Sequence, residues 1–225
     1  MPVTPIARGS TLATGINVFT LPTERQAALI ETLTAINHEI LTHRYPMVVS
    51  ANFHRALDAS IIINYNQYTD RAQGQFLRTQ ANVAPLMKRT HDLSEGHEIR
   101  WYEVADVVAA GGPSDRIEIR DDGRAVGVVG IFTVAADKQA ALLDRLKRYG
   151  ETLKAASAPG FRGIATHRGY QAAHVASYEQ WASADAYREA TVQGPIADLL
   201  LQINATAEDA ALHPYQVLSV ARFQA

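Results

Sequence analysis

Residues 16–33, INVFTLPTERQAALIETL, recur 113 positions further along the chain as residues 129–146, VGIFTVAADKQAALLDRL. The same shift aligns residues 16–68 with residues 129–181 without a gap and gives 13 identities in 53 positions. Self-similarity at a fixed spacing is the mark of a duplicated structural unit. We therefore predict two homologous modules, residues 1–112 and residues 113–225.

Each module shows the pattern β-α-β-β-α-β. In the first module a β-branched run at residues 16–21 predicts a strand, and Leu29, Leu33 and Ile36 recur at the spacing of one helix face. The remaining predicted elements are strands at residues 47–55, 59–68 and 98–108 and a second helical region through residues 76–87. This order is that of the ferredoxin-like, split βαβ fold, an α+β fold with both helices on one face of an antiparallel sheet.

The other face of such a sheet is left apolar and without a cover. A module of about 110 residues buries too little surface unless that face finds a partner. In a duplicated chain the partner is the second module, so we expect the two sheets to pack or curl together. Between the modules, Asp121-Asp122-Gly123 separates the strand-like runs 116–120 and 125–134, which predicts a hairpin leading into the second module.

Composition limits the classes of function. The 225 residues carry a formal net charge of −2, with 47% hydrophobic and 20% charged residues, which argues against a nucleic-acid partner. No segment has the roughly 20 apolar residues of a membrane span, and residues 1–14 lack the layout of a secretory signal, so we expect a cytoplasmic protein with no membrane partner. Cysteine is absent, and no dinucleotide loop, phosphate-binding loop, nucleophile elbow or metal-binding helix motif occurs. We therefore expect no metal site.

The functional signal lies on the third strand of each module. There the sequence reads Asn64-Tyr65-Asn66-Gln67-Tyr68 in the first module and Ser177-Tyr178-Glu179-Gln180-Trp181 in the second. Together with Tyr102-Glu103-Val104 on the last strand, this pattern resembles the antibiotic biosynthesis monooxygenase family. The resemblance covers nearly the whole chain, once in each module.

The resemblance implies a dimeric α+β barrel whose two halves are joined here in one chain. It also implies an oxygenase that acts with O₂ on a polycyclic aromatic polyketide, or on a related phenolic or quinol compound, without a tightly bound metal or cofactor. Tandem relatives that open angucycline rings use reduced flavin, so reduced FMN or FAD as a co-substrate from a separate flavin reductase stays an alternative. A polyketide cyclase or isomerase of the same fold and a non-catalytic small-molecule-binding protein are the other interpretations, and the sequence leaves open whether the chain forms a homodimer.

By the resemblance, the substrate pocket lies between the helices and the sheet of each module, and not at the seam between modules. Asn64 and Tyr68 match the family's asparagine and tryptophan as catalytic residues, and their even spacing puts both on one face of the strand. Asn64 would donate to a substrate oxygen and Tyr68 would supply a stacking wall and a phenolic donor. In the second module Trp181 matches the tryptophan and Ser177 replaces the asparagine, and we assign both to substrate binding.

Histidine and arginine side chains complete the predicted site. His167, the counterpart of His54 in the second module, is assigned to substrate binding. His54 itself is the candidate general base, because an imidazole with a pKa of about 6.5 removes protons at neutral pH. The structural alternative is a strand-end histidine bonded to backbone or solvent. Arg89, near the end of the second helix, would clamp a phenolate oxygen, unless it is a solvated helix-end cation. Tyr65 and Tyr178 directly follow Asn64 and Ser177 and so point to the opposite face of the strand, where we expect them in the core between the sheets.

Asn17 on the first strand matches an asparagine of the haem-degrading branch of the family. That branch also needs a helix histidine about ten residues after its strand tryptophan, and Arg78 and Thr191 stand at those places. Haem degradation is therefore not expected.

Overall fold

The chain folds through ten strands and six α-helices in residues 3–111 and 115–223, the residues that the structure, a computed structural model, describes. The strands are β1 Val3–Ala7, β2 Ala13–Thr20, β3 Val48–Ala56, β4 Ile61–Tyr68, β5 Gly96–Ala109, β6 Arg116–Arg120, β7 Val126–Thr133, β8 Phe161–Gly169, β9 His174–Trp181 and β10 Asp209–Arg222. The helices are α1 Gln26–His43, α2 Arg71–Leu77, α3 Ala84–Leu93, α4 Gln139–Ala155, α5 Ala184–Thr191 and α6 Gly194–Thr206. The predicted second helical region of each module is thus a pair of short helices.

Eight of these strands close into a barrel in the order β10-β3-β4-β2-β5-β8-β9-β7. Every neighbouring pair in the barrel is antiparallel. The first module supplies the adjacent strands β3-β4-β2-β5, and the second module repeats that order as β8-β9-β7-β10. The long strands β5 and β10 join the modules, because each pairs with a strand of its own module and then with a strand of the other. The predicted α+β class, with two ferredoxin-like modules curled into one barrel, is confirmed.

Alternation along the barrel strands separates two kinds of core. Inward-facing side chains such as Ile16, Ile63 and Val129 form one cluster shared by both modules. Outward-facing side chains pack under the helices of their own module, as Phe19 does in the first and Val175 in the second. The uncovered sheet faces therefore cover each other, while each module keeps its own layer between helices and sheet.

A two-stranded antiparallel ribbon of β1 and β6 lies apart from the barrel sheet. The predicted hairpin is wrong, because β6 pairs with β1 whereas β7 pairs with β9 and β10. The turn itself forms, with Gly123 at a φ of 79°. The strands on either side part because Ile117 and Ile119 of β6 join Ile6 of β1 in the inner core of the barrel. The segment Val3–Ala7 contains a proline, which is uncommon within strands, so the sequence did not identify this segment as the partner of β6.

Candidate active site

A narrow cavity lies between the sheet and the helices of the first module. Asn17 on β2 and Asn64 on β4 are directly opposed across the two strands, and Asn66 and Tyr68 follow on the same face of β4. The helices cover this floor with mostly apolar side chains, among them Leu33, Ile36, Leu77 and Met87. The enclosed space holds little more than one water molecule. Asn64 and Tyr68 therefore share one face and one cavity.

The amides of the floor have unused hydrogen-bonding capacity. Oδ1 of Asn64 and Oδ1 of Asn66 are buried and have no hydrogen-bond partner among the described residues. An unpaired buried carbonyl oxygen is unfavourable until a donor reaches it. Neither oxygen is used within the described residues, so the two side chains keep polar groups for a molecule in the cavity.

His97 on β5 brings an imidazole to the same cavity. Its ring stacks on that of Phe19, with ring centroids 4.6 Å apart and an interplanar angle of 17°. Its Nε2 lies 3.2 Å from Oδ1 of Asn17, and its Nδ1 lies 3.1 Å from Nδ1 of His91. Burial, and then the charges of His91 and Arg78, lower the pKa of His97 to about 4. The His97 imidazole is therefore neutral at neutral pH.

Tyr68 lines the cavity and packs against Trp101 of β5, with ring centroids 5.3 Å apart. Burial raises the pKa of the Tyr68 phenol to about 12, against the opposing effect of the Arg78 charge, so the hydroxyl keeps its proton. The two rings fit closely because Gly15 and Gly74 lack side chains, and a Cβ at Gly74 would overlap the Trp101 ring. Trp101 thus places an indole beside the tyrosine that stands where the family has tryptophan.

The equivalent space in the second module is filled by side chains. Tyr149 of α4 and Trp181 of β9 both donate to Oε2 of Glu179, at 3.2 and 2.8 Å. Gly130 replaces Asn17, and the ring of Phe132 lies close against it. Asn37, Thr90 and His97 of the first cavity correspond, by the 113-residue shift, to Gly150, Ile203 and Ala210. Four polar lining positions of the first module therefore lose their polar group in the second, whereas Asn64 and Asn66 correspond to the buried Ser177 and Glu179.

Ser177 and Trp181, which we predicted to bind substrate, belong to this packed layer. The Trp181 side chain is fully buried, and Oγ of Ser177 is buried without a partner among the described residues. Burial raises the pKa of the neighbouring Glu179 to about 7, although its hydrogen bonds from Trp181 and Tyr149 oppose the shift. The role of Ser177 and Trp181 in binding stays a prediction, and it requires this layer to open.

His54 and His167 lie on the inner face of the barrel. Nε2 of His54 is 3.0 Å from the hydroxyl of Tyr178, and Nε2 of His167 is 2.8 Å from the hydroxyl of Tyr65. The two pairs are related by the repeat, and each pair joins one module to the other. Burial lowers the pKa of both imidazoles to about 4. Tyr65 and Tyr178 occupy the core between the sheets, as predicted.

The expected position of His54 beside the motif is therefore corrected. On the paired strands β3 and β4, His54 is opposite Ile63, whereas Asn64 is opposite Phe53. Opposed residues share a face and consecutive residues lie on opposite faces, so His54 points into the barrel while Asn64 points towards the helices. The structural alternative, a buried histidine bonded within the protein, describes its surroundings.

Arg89 is also displaced from its expected position. Its guanidinium lies on the exposed side of α3, 3.8 Å from the carboxylate of Glu31 on α1. Thr90, the next residue of α3, faces the cavity, and one residue along a helix turns the side chain by about 100°. Arg89 therefore points outward, and the cation that lines the cavity is Arg78, which directly follows α2.

Four residues at or beside the cavity received no role from the sequence: Asn17, Arg78, His97 and Trp101. A signal was available in the comparison of the two modules, since His97 corresponds to Ala210 and Asn17 to Gly130. Both modules have the same fold, so a polar side chain that occurs in only one of them is not required by that fold.

In residues 3–111 and 115–223, no three histidine, aspartate or glutamate side chains are close enough to share a metal ion. Within the same part of the chain, none of the helices combines the length and the apolar character needed to cross a membrane.

Fold and cavity together define a class, that of two ferredoxin-like modules closed into one α+β barrel with a cavity between helices and sheet. A protein described as anthrone oxidase-like has the same fold, with a TM-score of 0.85, 22% identity, and coverage of 99% of this chain and 98% of that one. A protein from Fusobacterium nucleatum, provisionally assigned as a monooxygenase, gives a TM-score of 0.67, 12% identity and 95% coverage of both chains. Another with that provisional assignment, from Lactobacillus acidophilus, gives 0.63, 9% identity, and coverage of 95% of this chain and 97% of that one. At these identities the likeness shows the fold alone.

Residues 125–193 match the family model described as antibiotic biosynthesis monooxygenase. This match lies within the second module and confirms the predicted resemblance to that family there, while over the whole chain the likeness is one of fold. No curated protein matches the sequence.

Proposed function

We propose that the protein is an O₂-dependent oxygenase of a polycyclic aromatic or quinol substrate, with its active site in the cavity of the first module. The observation that carries the proposal is the buried row of amides on the cavity floor, Asn17, Asn64 and Asn66, with two carbonyl oxygens that have no partner in the described chain. Amides that serve only the fold would be paired within the protein. The fold shared with monooxygenase-like proteins supports the reaction class.

The proposed reaction needs a substrate anion that is held close to O₂ in a site from which water is excluded. An anthrone or a hydroquinone yields a delocalised anion when it loses a proton, and that anion can pass an electron to O₂ before the radicals recombine to a peroxide. For an anthrone, the methylene carbon loses two hydrogens and gains one oxygen atom, and the second oxygen atom leaves with those hydrogens as water. Fixed hydrogen-bond donors at the developing oxyanion lower the barrier to the first step.

Three groups of the cavity suit these needs. The amides of Asn17 and Asn64 lie side by side on the floor, where a substrate oxygen would meet them. The Tyr68 hydroxyl keeps its proton, so it can donate, and its ring supplies an aromatic wall. Among the predicted catalytic residues, Asn64 and Tyr68 keep their proposed roles, whereas His54 lies behind the sheet.

Substrate entry requires the roof to move. The cavity holds little more than one water molecule, whereas a tricyclic substrate needs a few hundred cubic ångströms. Leu77, Arg78 and Met87 of the roof belong to the segment that carries α2 and α3. We therefore propose that α2 and α3 swing outward to admit substrate and return over it before the reaction.

Oxygen uptake with an anthrone-type substrate tests the proposal, with Asn64→Ala as the variant and Asn204→Ala, the same change at an exposed position of α6, as its matched control. We expect Asn64→Ala to lower kcat on the order of 10²-fold, the effect of removing one oxyanion donor, and Asn204→Ala to leave it within a factor of about three. Equal losses in both variants, or none in Asn64→Ala, would contradict an active site in the first module. Product formation without O₂ consumption would point to the cyclase or isomerase.

The same assay separates the cofactor alternatives. Uptake by the purified protein alone supports cofactor-free chemistry. Substrate loss only with reduced FMN or FAD, after correction for flavin autoxidation, supports flavin as a co-substrate and a separate flavin reductase as a partner. A cytoplasmic location and a homodimer remain parts of the proposal to be tested separately.

A further inference from the structure

A chain of hydrogen bonds runs from Arg78, in the roof of the cavity, through the exposed His91 to the floor of the cavity. The guanidinium NH2 of Arg78 lies 3.4 Å from Nε2 of His91, an exposed residue of α3. Nδ1 of His91 lies 3.1 Å from Nδ1 of His97, and Nε2 of His97 lies 3.2 Å from Oδ1 of Asn17. Each link therefore joins two groups whose donor and acceptor roles depend on the next.

The Arg78 cation at the start of this chain fixes the direction of its hydrogen bonds. A guanidinium can only donate, so Nε2 of His91 must accept, and a neutral His91 then carries its proton on Nδ1. That N–H donates to Nδ1 of His97, which leaves the His97 proton on Nε2, where it donates to Oδ1 of Asn17. In the opposite direction a His91 N–H would face an N–H of Arg78. The consistent arrangement is therefore a single one.

We infer that Arg78, His91 and His97 are positioning residues that hold the Asn17 amide with its NH2 group turned to the cavity. Asn17 then presents a fixed donor beside Asn64, and each link polarises the next, which strengthens the final donor. The use of this donor by a substrate oxyanion rests on the proposed oxygenase function. The direction of the hydrogen-bond chain does not depend on that function.

Packing supports the same arrangement. The His97 ring lies flat on Phe19, which fixes its plane, and the His91 ring meets it edge-on, with centroids 4.3 Å apart and an angle of 80°. Burial keeps His97 in the neutral form, which has one donor and one acceptor nitrogen, as the chain requires. In the second module Thr191 and Ala210 replace Arg78 and His97, so this series of hydrogen bonds belongs to the first module alone.

The tautomers of the two histidines test the inference without any substrate. We expect long-range ¹H–¹⁵N spectra of the labelled, full-length protein at pH 8 to show His91 as the Nδ1–H tautomer and His97 as the Nε2–H tautomer. The Nδ1–H form is the minor one for a free histidine side chain, so its presence at His91 is diagnostic. His91 in the Nε2–H form, or in rapid exchange between forms, would overturn the inference.

Two variants test the hydrogen-bond chain independently of the catalytic proposal. Arg78→Gln ends the chain with a group that both donates and accepts, so we expect a mixture of tautomers at His91. Asn64→Ala lies outside the chain, so both tautomers should persist even if oxygen uptake is lost. An unchanged single tautomer in Arg78→Gln would show that the cation does not set the direction.

Kinetics then test the link to function. His91→Ala removes an exposed side chain that does not line the cavity, and we expect kcat to fall about tenfold with a smaller change in KM. A His91→Ala protein with wild-type kcat, on a substrate that the wild type turns over, would overturn the positioning role. Failure of the wild type to take up oxygen would instead count against the proposed function and leave the tautomer result standing.

Discussion

Glu179→Gln is expected to make the protein more stable at alkaline pH. The Glu179 carboxyl is buried under α4, and burial raises its pKa from the ordinary value of 4.5 to about 7. The folded protein therefore holds this proton more tightly than the unfolded chain, so the benefit is complete below pH 4.5 and is lost as the pH rises through about 7. Because 7 minus 4.5 is 2.5 and each pKa unit corresponds to about 1.36 kcal/mol, the full effect is about 3 kcal/mol.

Urea unfolding of wild type and Glu179→Gln at pH 5 and pH 8 measures this effect. The neutral glutamine keeps a carbonyl oxygen to accept from Trp181 and Tyr149 but has no charge to bury. The difference in the free energy of unfolding, variant minus wild type, should therefore rise by about 2–3 kcal/mol between the two pH values. Glu189→Gln, an exposed change on α5, controls for net charge. A difference that stays constant from pH 5 to pH 8 would refute a buried, proton-holding Glu179.

Two further substitutions probe the contacts that hold the barrel and the roof. Tyr178→Phe leaves Nε2 of buried His54 without its partner, so we expect a loss of about 1–3 kcal/mol in the free energy of unfolding by urea. Tyr170→Phe, at a side chain that is about half exposed, is the control and should cause no significant change. Equal stability of the two variants would contradict the bond between modules. Gly74→Ala puts a Cβ into the Trp101 ring, so α2 should be displaced and exchange its amide hydrogens faster. We expect the free energy of unfolding to fall by about 1–3 kcal/mol. A gain in stability from the better helix propensity of alanine would show that the Trp101 ring moves aside at little cost.

Much of the fold follows from local pattern. The ferredoxin-like order that the structure has was predicted from three local features. They are the 113-residue repeat, the helix face of Leu29 and Leu33, and the turn after each strand. The period of two along a strand also separates Tyr65, inside the barrel, from Asn64, under the helices. These features depend on residues that are near one another in sequence.

The placement of β6 and of the histidines was not predictable in this way. The turn at residues 121–123 forms as expected, but Ile117 and Ile119 are buried by pairing with β1, about 110 residues away. His54 meets Tyr178 across the seam of the modules, and no local periodicity names a partner that distant. Its face could have been read from its register with Ile63, but that register is itself a tertiary fact.

The sequence by itself determined that the chain is a duplicated α+β fold and that Asn64 and Tyr68 share one face of a strand. Only the tertiary structure decided that the first module keeps a polar cavity while Tyr149, Glu179 and Trp181 fill the second, and that His97 lies beside Asn17. The physical reason is that backbone geometry fixes the side of a strand or helix on which a residue lies. Which residues from distant segments share a space is decided by how the whole barrel closes and packs.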